Sequence, residues 1–220
     1  MNKKVKYDLN KIQSMFGNNG EYKFSRWSNN IVPIILGLND FSLTKFKIKL
    51  FLLLKDIPLE IDDFEIKKGS NFVFIFFNNW DEIYKLHKIK EILPDYKNLF
   101  KKLNKNNFKQ YKRFYFDDDG GITFCVFLIY IRDEMDETYF EKLMTEALLK
   151  SVLLWSESLN NFEDFIVFDE KEKKFNYSSD CLSLLKACYD PILPCKSNDF
   201  SHSLRVFSRY RIILDGLNES

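Results

Sequence analysis

The chain has 220 residues, 45% of them hydrophobic, enough for one large domain or two small ones; wholesale disorder is excluded. Thirty-three basic side chains stand against 32 acidic ones, so a protein strongly basic or strongly acidic as a whole is excluded as well. Phe (23 residues) and Lys are abundant while Ala, Gly and Arg are scarce, a bias that AT-rich codon supply produces without functional cause.

The N-terminal lysines have no apolar stretch behind them, so no secretory signal is expected. Leu9, Ile12 and Phe16 then fall at helical spacing, and Gly17 and Gly20 mark the stop. Residues 27–40 read as irregular, with Pro33 inside an apolar run. Residues 45–50 alternate Lys with Phe, Ile and Leu, the period of a half-buried strand; the apolar run at 51–54 leaves a helix from Leu43 open. A second alternation follows at Ile57, Leu59, Ile61, Phe64 and Ile66. Residues 72–77 are apolar throughout, as a strand covered on both faces would be. Asn79 caps a helix expected to reach Leu93 before Pro94, and Asp95 caps another carrying Tyr96, Leu99, Phe100 and Leu103 on one side.

The clearest signal is a hairpin with strands at 111–116 and 122–132 around an Asp-Asp-Asp-Gly-Gly turn. Both faces of its second strand are apolar. Asp136 caps a long helix expected to reach about Ser156, with Phe140, Leu143, Met144, Ala147 and Leu148 inward and Glu137 and Glu141 outward. A strand at 162–168, a polar turn at 170–174, a short helix capped by Asp180 and a terminal helix with Phe200, Leu204, Phe207, Arg211 and Leu214 on its stripe complete the order. The pattern predicts an α+β fold with an antiparallel sheet and helices packed on it. It forms a single domain, 1–220, or a two-part arrangement of 1–110 and 111–220.

Catalytic and metal motifs are scarce. The two histidines, His87 and His202, lie in no nucleophile elbow or metal-binding pattern and read as surface or helix-edge groups. Cys181 and Cys188 share a helical face with Leu184 and Leu185, so they read as core residues; Cys195 lies beyond Pro191 and Pro194. The acidic hairpin tip lacks the alternate spacing and final glutamate of a calcium loop, and no phosphate-binding glycine loop occurs. No cofactor is expected. Four cysteines in a chain of this length point to a reducing cytoplasm, and no apolar run approaches the roughly 20 residues of a membrane span.

Charge is segregated along the chain. Residues 85–113 hold ten Lys/Arg and two acids, and residues 117–172 hold fifteen acids and four bases. In the basic segment Lys101, Lys102, Lys105, Lys109, Lys112 and Arg113 interleave with Tyr96, Phe100, Phe108 and Tyr111, a pattern that can grip phosphates and stack on bases. Strands apolar on both faces call for a cover on the second face, which predicts a homodimer or a groove for a partner segment. These features favour a non-enzymatic, cytoplasmic protein-binding protein, chaperone-like or a neutralising binder of another protein. Nucleic-acid binding through 85–113 is one alternative, and an enzyme with carboxylate-based chemistry is another.

Residues 111–165 run hairpin with an acidic Asp-Gly turn, acid-capped helix, Trp155 and then a strand. In that order the segment resembles the middle of YbjN-like proteins and the similarly built type III secretion chaperones. The resemblance implies a helix, antiparallel sheet, helix fold that dimerises and binds partners without catalysis, and it assigns no functional residue.

Overall fold

The computed structural model describes residues 6–18, 20–62, 69–86, 89–106, 108–131, 135–159 and 161–218. Four strands form the central sheet: β1 (Pro33–Leu36), β2 (Phe72–Phe77), β3 (Gln110–Phe116) and β4 (Ile122–Tyr130), in the order β1-β2-β4-β3. The α+β class is as expected. The sheet is mixed: the β3–β4 hairpin is antiparallel, while β1–β2 and β2–β4 are parallel. The two-sided apolar character of β2 is the physical reason. Parallel strands sit beneath crossover segments and are covered on both faces, and every side chain of β2 is buried. Pro33 opens β1 at the sheet edge, where a missing N–H costs no ladder bond.

Helices cover both faces from within the one chain. On one face, Phe72, Phe74, Phe76, Cys125, Phe127 and Ile129 pack under α2 (Asp40–Leu54) and α5 (Glu137–Ser151). Phe74 stacks on Phe127 with ring centroids 4.7 Å apart, and Phe46 of α2 meets Phe74 edge-on at 5.1 Å. On the other face, Val73, Ile75, Phe77, Val126 and Leu128 pack under a 3-10 turn (Trp80–Lys85), the short α3 (Ile89–Ile92) and α4 (Tyr96–Lys105). The second face therefore needs no second copy, and the sheet supplies no motive for a dimer.

Outside the sheet lie α1 (Leu9–Phe16), a small ribbon of β5 (Ile166–Asp169) and β6 (Lys174–Tyr177), α6 (Ser179–Cys188) and α7 (Ser201–Asn218). The segment 45–54 is helical. Asn39 accepts the Ser42 N–H as its cap, and Phe46, Leu50, Leu53 and Leu54 point inward at helical spacing. Asn79 caps the 3-10 turn through Asp81 N, and no single helix runs from it to Leu93; His87 lies outside the described residues, as do Phe64 and Ile66. Ser178, not Asp180, caps α6, accepting from Cys181 N at 3.1 Å.

α5 stops at Ser151 because side chains take the carbonyls that a helix end leaves unpaired. Trp155 Nε1 donates to Leu149 O (2.9 Å), Trp27 Nε1 to Ser151 O (2.9 Å) and the Tyr189 hydroxyl to Val152 O (2.5 Å). At the end of α6, buried Arg26 does the same work, donating to Tyr189 O at 3.3 Å and Leu193 O at 2.8 Å. A cation there also opposes the negative end of the helix dipole.

Two side chains expected at the surface are buried. Glu141 is 4% exposed because Lys49 of α2 reaches it, and His202 is 2% exposed because α7 turns His202, Ser203, Val206 and Tyr210 inward while Phe200 and Leu204 stay exposed. Cys181 and Cys188 are fully buried among Leu184 and Leu185, and burial pushes both thiols up, as it does that of Cys125. Under native conditions iodoacetamide is therefore expected to label Cys195 alone at an appreciable rate, the thiolate being the reactive form. Intact-mass analysis with and without urea checks this; rapid native labelling of Cys181 or Cys188 contradicts the packing.

Candidate functional site

The three parallel strands end at one edge, and the chain leaves them through Gly37, Asn78 and Ile131. In sheets with parallel strands this carboxyl edge is where a crevice opens between the helices that follow. Here α2 follows β1 and α5 follows β4, and a cleft of about 550 Å³ lies between their first turns. Its apolar lining comes from Leu38, Ile131, Phe140 and Met144, and its polar groups from Ser42, Lys45, Asn78 and Glu137.

Local sequence builds each wall. Gly37 turns the chain at φ +82°, and a Cβ there would sit 2.0 Å from the Phe76 carbonyl oxygen, so only glycine lets β1 leave the sheet this close to β2. Asn39 and Asp136 cap the two helices, Asp136 accepting from Tyr139 N at 3.1 Å. Lys45 spans the mouth to Glu137 at 2.5 Å, with its ammonium 4.5 Å from the Phe41 ring centroid. Deeper in, Lys49 pairs with Glu141 at 2.8 Å. Both also hold the backbone of Phe175, Lys49 donating to its carbonyl at 2.5 Å and Glu141 accepting its N–H at 3.2 Å. Both lysine–glutamate pairs tie α2 to α5, and the deeper one also fastens β6.

The outward side of α2 is unusual. Phe41 is 65% exposed, Ile48 54%, Phe51 64% and Leu52 41%. Spacings of seven and four put Phe41, Ile48 and Leu52 in one row, with Phe51 beside it and Lys45 and Lys55 in the same row. Phe41 also lines the cleft, so the apolar row and the cleft form one surface. Single exposed apolar residues are ordinary; here four lie together along the outer side of one helix.

The six basic residues singled out from the sequence do not gather at this site or at any one place. Lys101, Lys102 and Lys105 are exposed on α4. Lys109 donates to the Tyr139 hydroxyl at 3.1 Å and lies over its ring. Lys112 and Arg113 are neighbours on β3 and so point to opposite faces. Arg113 is held by Asp95 in a two-point pair at 2.9 and 3.0 Å, and Phe100 is core. Sequence reasoning missed the α2 row because it left 45–54 open between strand and helix. The available signal was an apolar run that continues on every side of the helix, since a surface helix of that kind must expose part of it.

Among the described residues no helix is long and apolar enough to cross a membrane, and no group of three or more His, Cys, Asp or Glu is placed to hold a metal ion. No family model, curated protein or solved structure matches the chain.

Proposed function

We propose that this is a non-enzymatic cytoplasmic protein-binding protein, chaperone-like or neutralising in effect. In this reading a helical segment of another protein lies along the Phe41, Ile48, Phe51 and Leu52 row and sets one apolar side chain into the cleft. The exposed row is the observation that carries it. Lys55 in the same row favours a segment with an acidic residue flanking its apolar ones, by charge complementarity. The resemblance of 111–165 to partner-binding chaperones points the same way. Four thiols without a disulfide among them accord with a reducing compartment.

The alternatives draw less support. A nucleic-acid groove retains Lys101, Lys102 and Lys105 but has Arg113 engaged by Asp95 and Phe100 in the core. Carboxylate chemistry needs free acids in a pocket, and the two glutamates that line the cleft are each ion-paired to a lysine.

Site-specific photo-crosslinking tests the proposal. A benzophenone side chain placed at position 48 or 51 is expected to give discrete adducts in native cells, and one at Val167, 53% exposed but outside the row, to give none. Ile48→Glu with Phe51→Glu is expected to lower the yield of a probe at position 41 by at least about tenfold. Stability should change by no more than about 0.5 kcal/mol at such exposed positions. An adduct of twice the chain mass would replace the foreign partner with a second copy, and yields at 48 and 51 no higher than at 167 would end the reading.

A further inference from the structure

β3 is an edge strand, and alternate residues on it share a face, so Gln110 and Lys112 lie on the same side about 7 Å apart. That side meets the last turn of α5, from which Lys150 arrives. The Lys150 ammonium donates to Gln110 Oε1 at 3.2 Å, pairs with Glu146 Oε2 at 3.4 Å and lies 4.9 Å from the Phe162 ring centroid. This contact fixes the Gln110 amide, because the reversed amide would aim its NH2 at an ammonium. Gln110 Nε2 is then a buried donor with no partner. The ammonium of Lys112, a half-buried residue two positions along, makes no hydrogen bond or ion pair among the described residues. The acids around the cluster are Glu146, already engaged by Lys150, and Glu157 in the loop after α5, which attracts Lys112 without forming an ion pair to it.

Buried donors normally have acceptors, and an unpaired one calls for an explanation. Here the unpaired amide donor belongs to the side chain that holds Lys150, whose ammonium also repels that of Lys112, so Gln110 and Lys112 have donors left to offer, with Glu146 and Glu157 as the opposing charges. We propose that Gln110, Lys112 and Lys150 form an oxyanion-binding site at the outer edge of the sheet, taking a phosphate or carboxylate group of a ligand. Such a group supplies several acceptor oxygens at once and forms charge-assisted bonds to both lysines. The site is separate from the α2 row and stands or falls independently of it.

Lys112 itself reports on the site. Burial, with Lys150 second, pulls its ammonium down to about 8, so near pH 8 much of it is a free, acylable amine. Acetic anhydride labelling of the whole protein at pH 8, quantified by peptide mass spectrometry, is the experiment, with exposed Lys101 as internal control. Saturating inorganic phosphate is expected to slow Lys112 acylation about fivefold, the effect at pH 8 of a tenfold stronger hold on its proton, and to leave Lys101 unchanged. Acetate in place of phosphate distinguishes the carboxylate from the phosphate form of the ligand. Gln110→Leu, which removes the orphan donor without touching Lys112, is expected to abolish most of the protection. Equal slowing of Lys112 and Lys101, or protection unchanged in Gln110→Leu, overturns the proposal. So does a Lys112 that phosphate leaves alone but Glu157→Gln speeds up, since Glu157 would then be its partner.

Discussion

Lys49→Met is expected to lower the unfolding free energy by about 3–5 kcal/mol, and Glu141→Leu by a similar amount, because each leaves the opposite charge buried and alone. The two side chains are 9% and 6% exposed and 2.8 Å apart. Burial pulls the Lys49 ammonium down, and the hydrogen bond and charge of Glu141 pull it back up. Neither charge is comfortable there without the other. The double variant removes both charges and keeps the bulk, so it should lie closer to the wild type than either single variant does. It should not recover fully, because the Phe175 N–H and carbonyl lose their side-chain partners, at about 1–3 kcal/mol for each group left unsatisfied. Urea denaturation of the four proteins measures the coupling; strictly additive losses would mean that the two groups act independently. The same pair sets the spacing of α2 and α5. Its loss should therefore also lower crosslinking from position 48, linking the stability of the interior to the geometry of the binding row.

That pair shows where sequence reasoning reaches its limit. Elements whose signal is local were legible: the buried strand at Phe72–Phe77, the hairpin with its Asp-Gly turn, and α5 with its Asp136 cap. Even the turn acid behaves as the motif requires, Asp117 Oδ1 accepting Gly121 N at 2.7 Å. The direction of strand pairing was not legible, because a strand's own residues do not record which neighbour it joins. Nor was the burial of Glu141, which depends on a lysine on a helix distant in sequence. α2 stayed undecided between strand and helix for a different reason. Its alternating Lys and apolar residues fit a strand's period over six positions, whereas the helix uses them at spacings of three and four over fifteen. The basic segment drew attention as a charge count, but strand alternation sends Lys112 and Arg113 to opposite faces, which a count cannot express.

His202 extends the argument to pH. Its ring is buried against Phe24, with centroids 4.3 Å apart, and its Nδ1 lies 2.9 Å from the Tyr22 hydroxyl. Burial raises the Tyr22 phenol well above its ordinary range, so it stays protonated and able to donate to that nitrogen. Nε2 is buried without a partner in either tautomer. With Tyr22 donating to Nδ1, the neutral ring carries its proton on Nε2; a charged ring would place its second N–H on Nδ1, facing the Tyr22 hydroxyl, and would add a cation near Arg205 and Arg26. Burial first, and those two cations next, therefore hold the imidazolium down at about 4, with Asp199 opposing weakly. The unfolded chain binds this proton near 6.5 and the folded chain only near 4, so the neutral ring favours the fold at and above pH 6.5. As the pH falls from 6.5 to about 4 the protein is expected to lose about 3 kcal/mol from this group alone, and the loss levels off below that. His202→Gln keeps an acceptor for the Tyr22 hydroxyl and carries no titrating proton. It should cost stability at pH 7 through imperfect packing, yet narrow the difference between pH 7 and pH 4.5. Urea midpoints for both proteins at the two pH values decide the matter. Parallel losses in wild type and variant would assign the acid sensitivity elsewhere, to carboxylates such as Asp117, whose pKa is lowered by hydrogen bonds from Ser28 and the turn backbone. Those groups act only below their ordinary carboxylate range, so the window between 6.5 and 4.5 belongs mainly to the histidine.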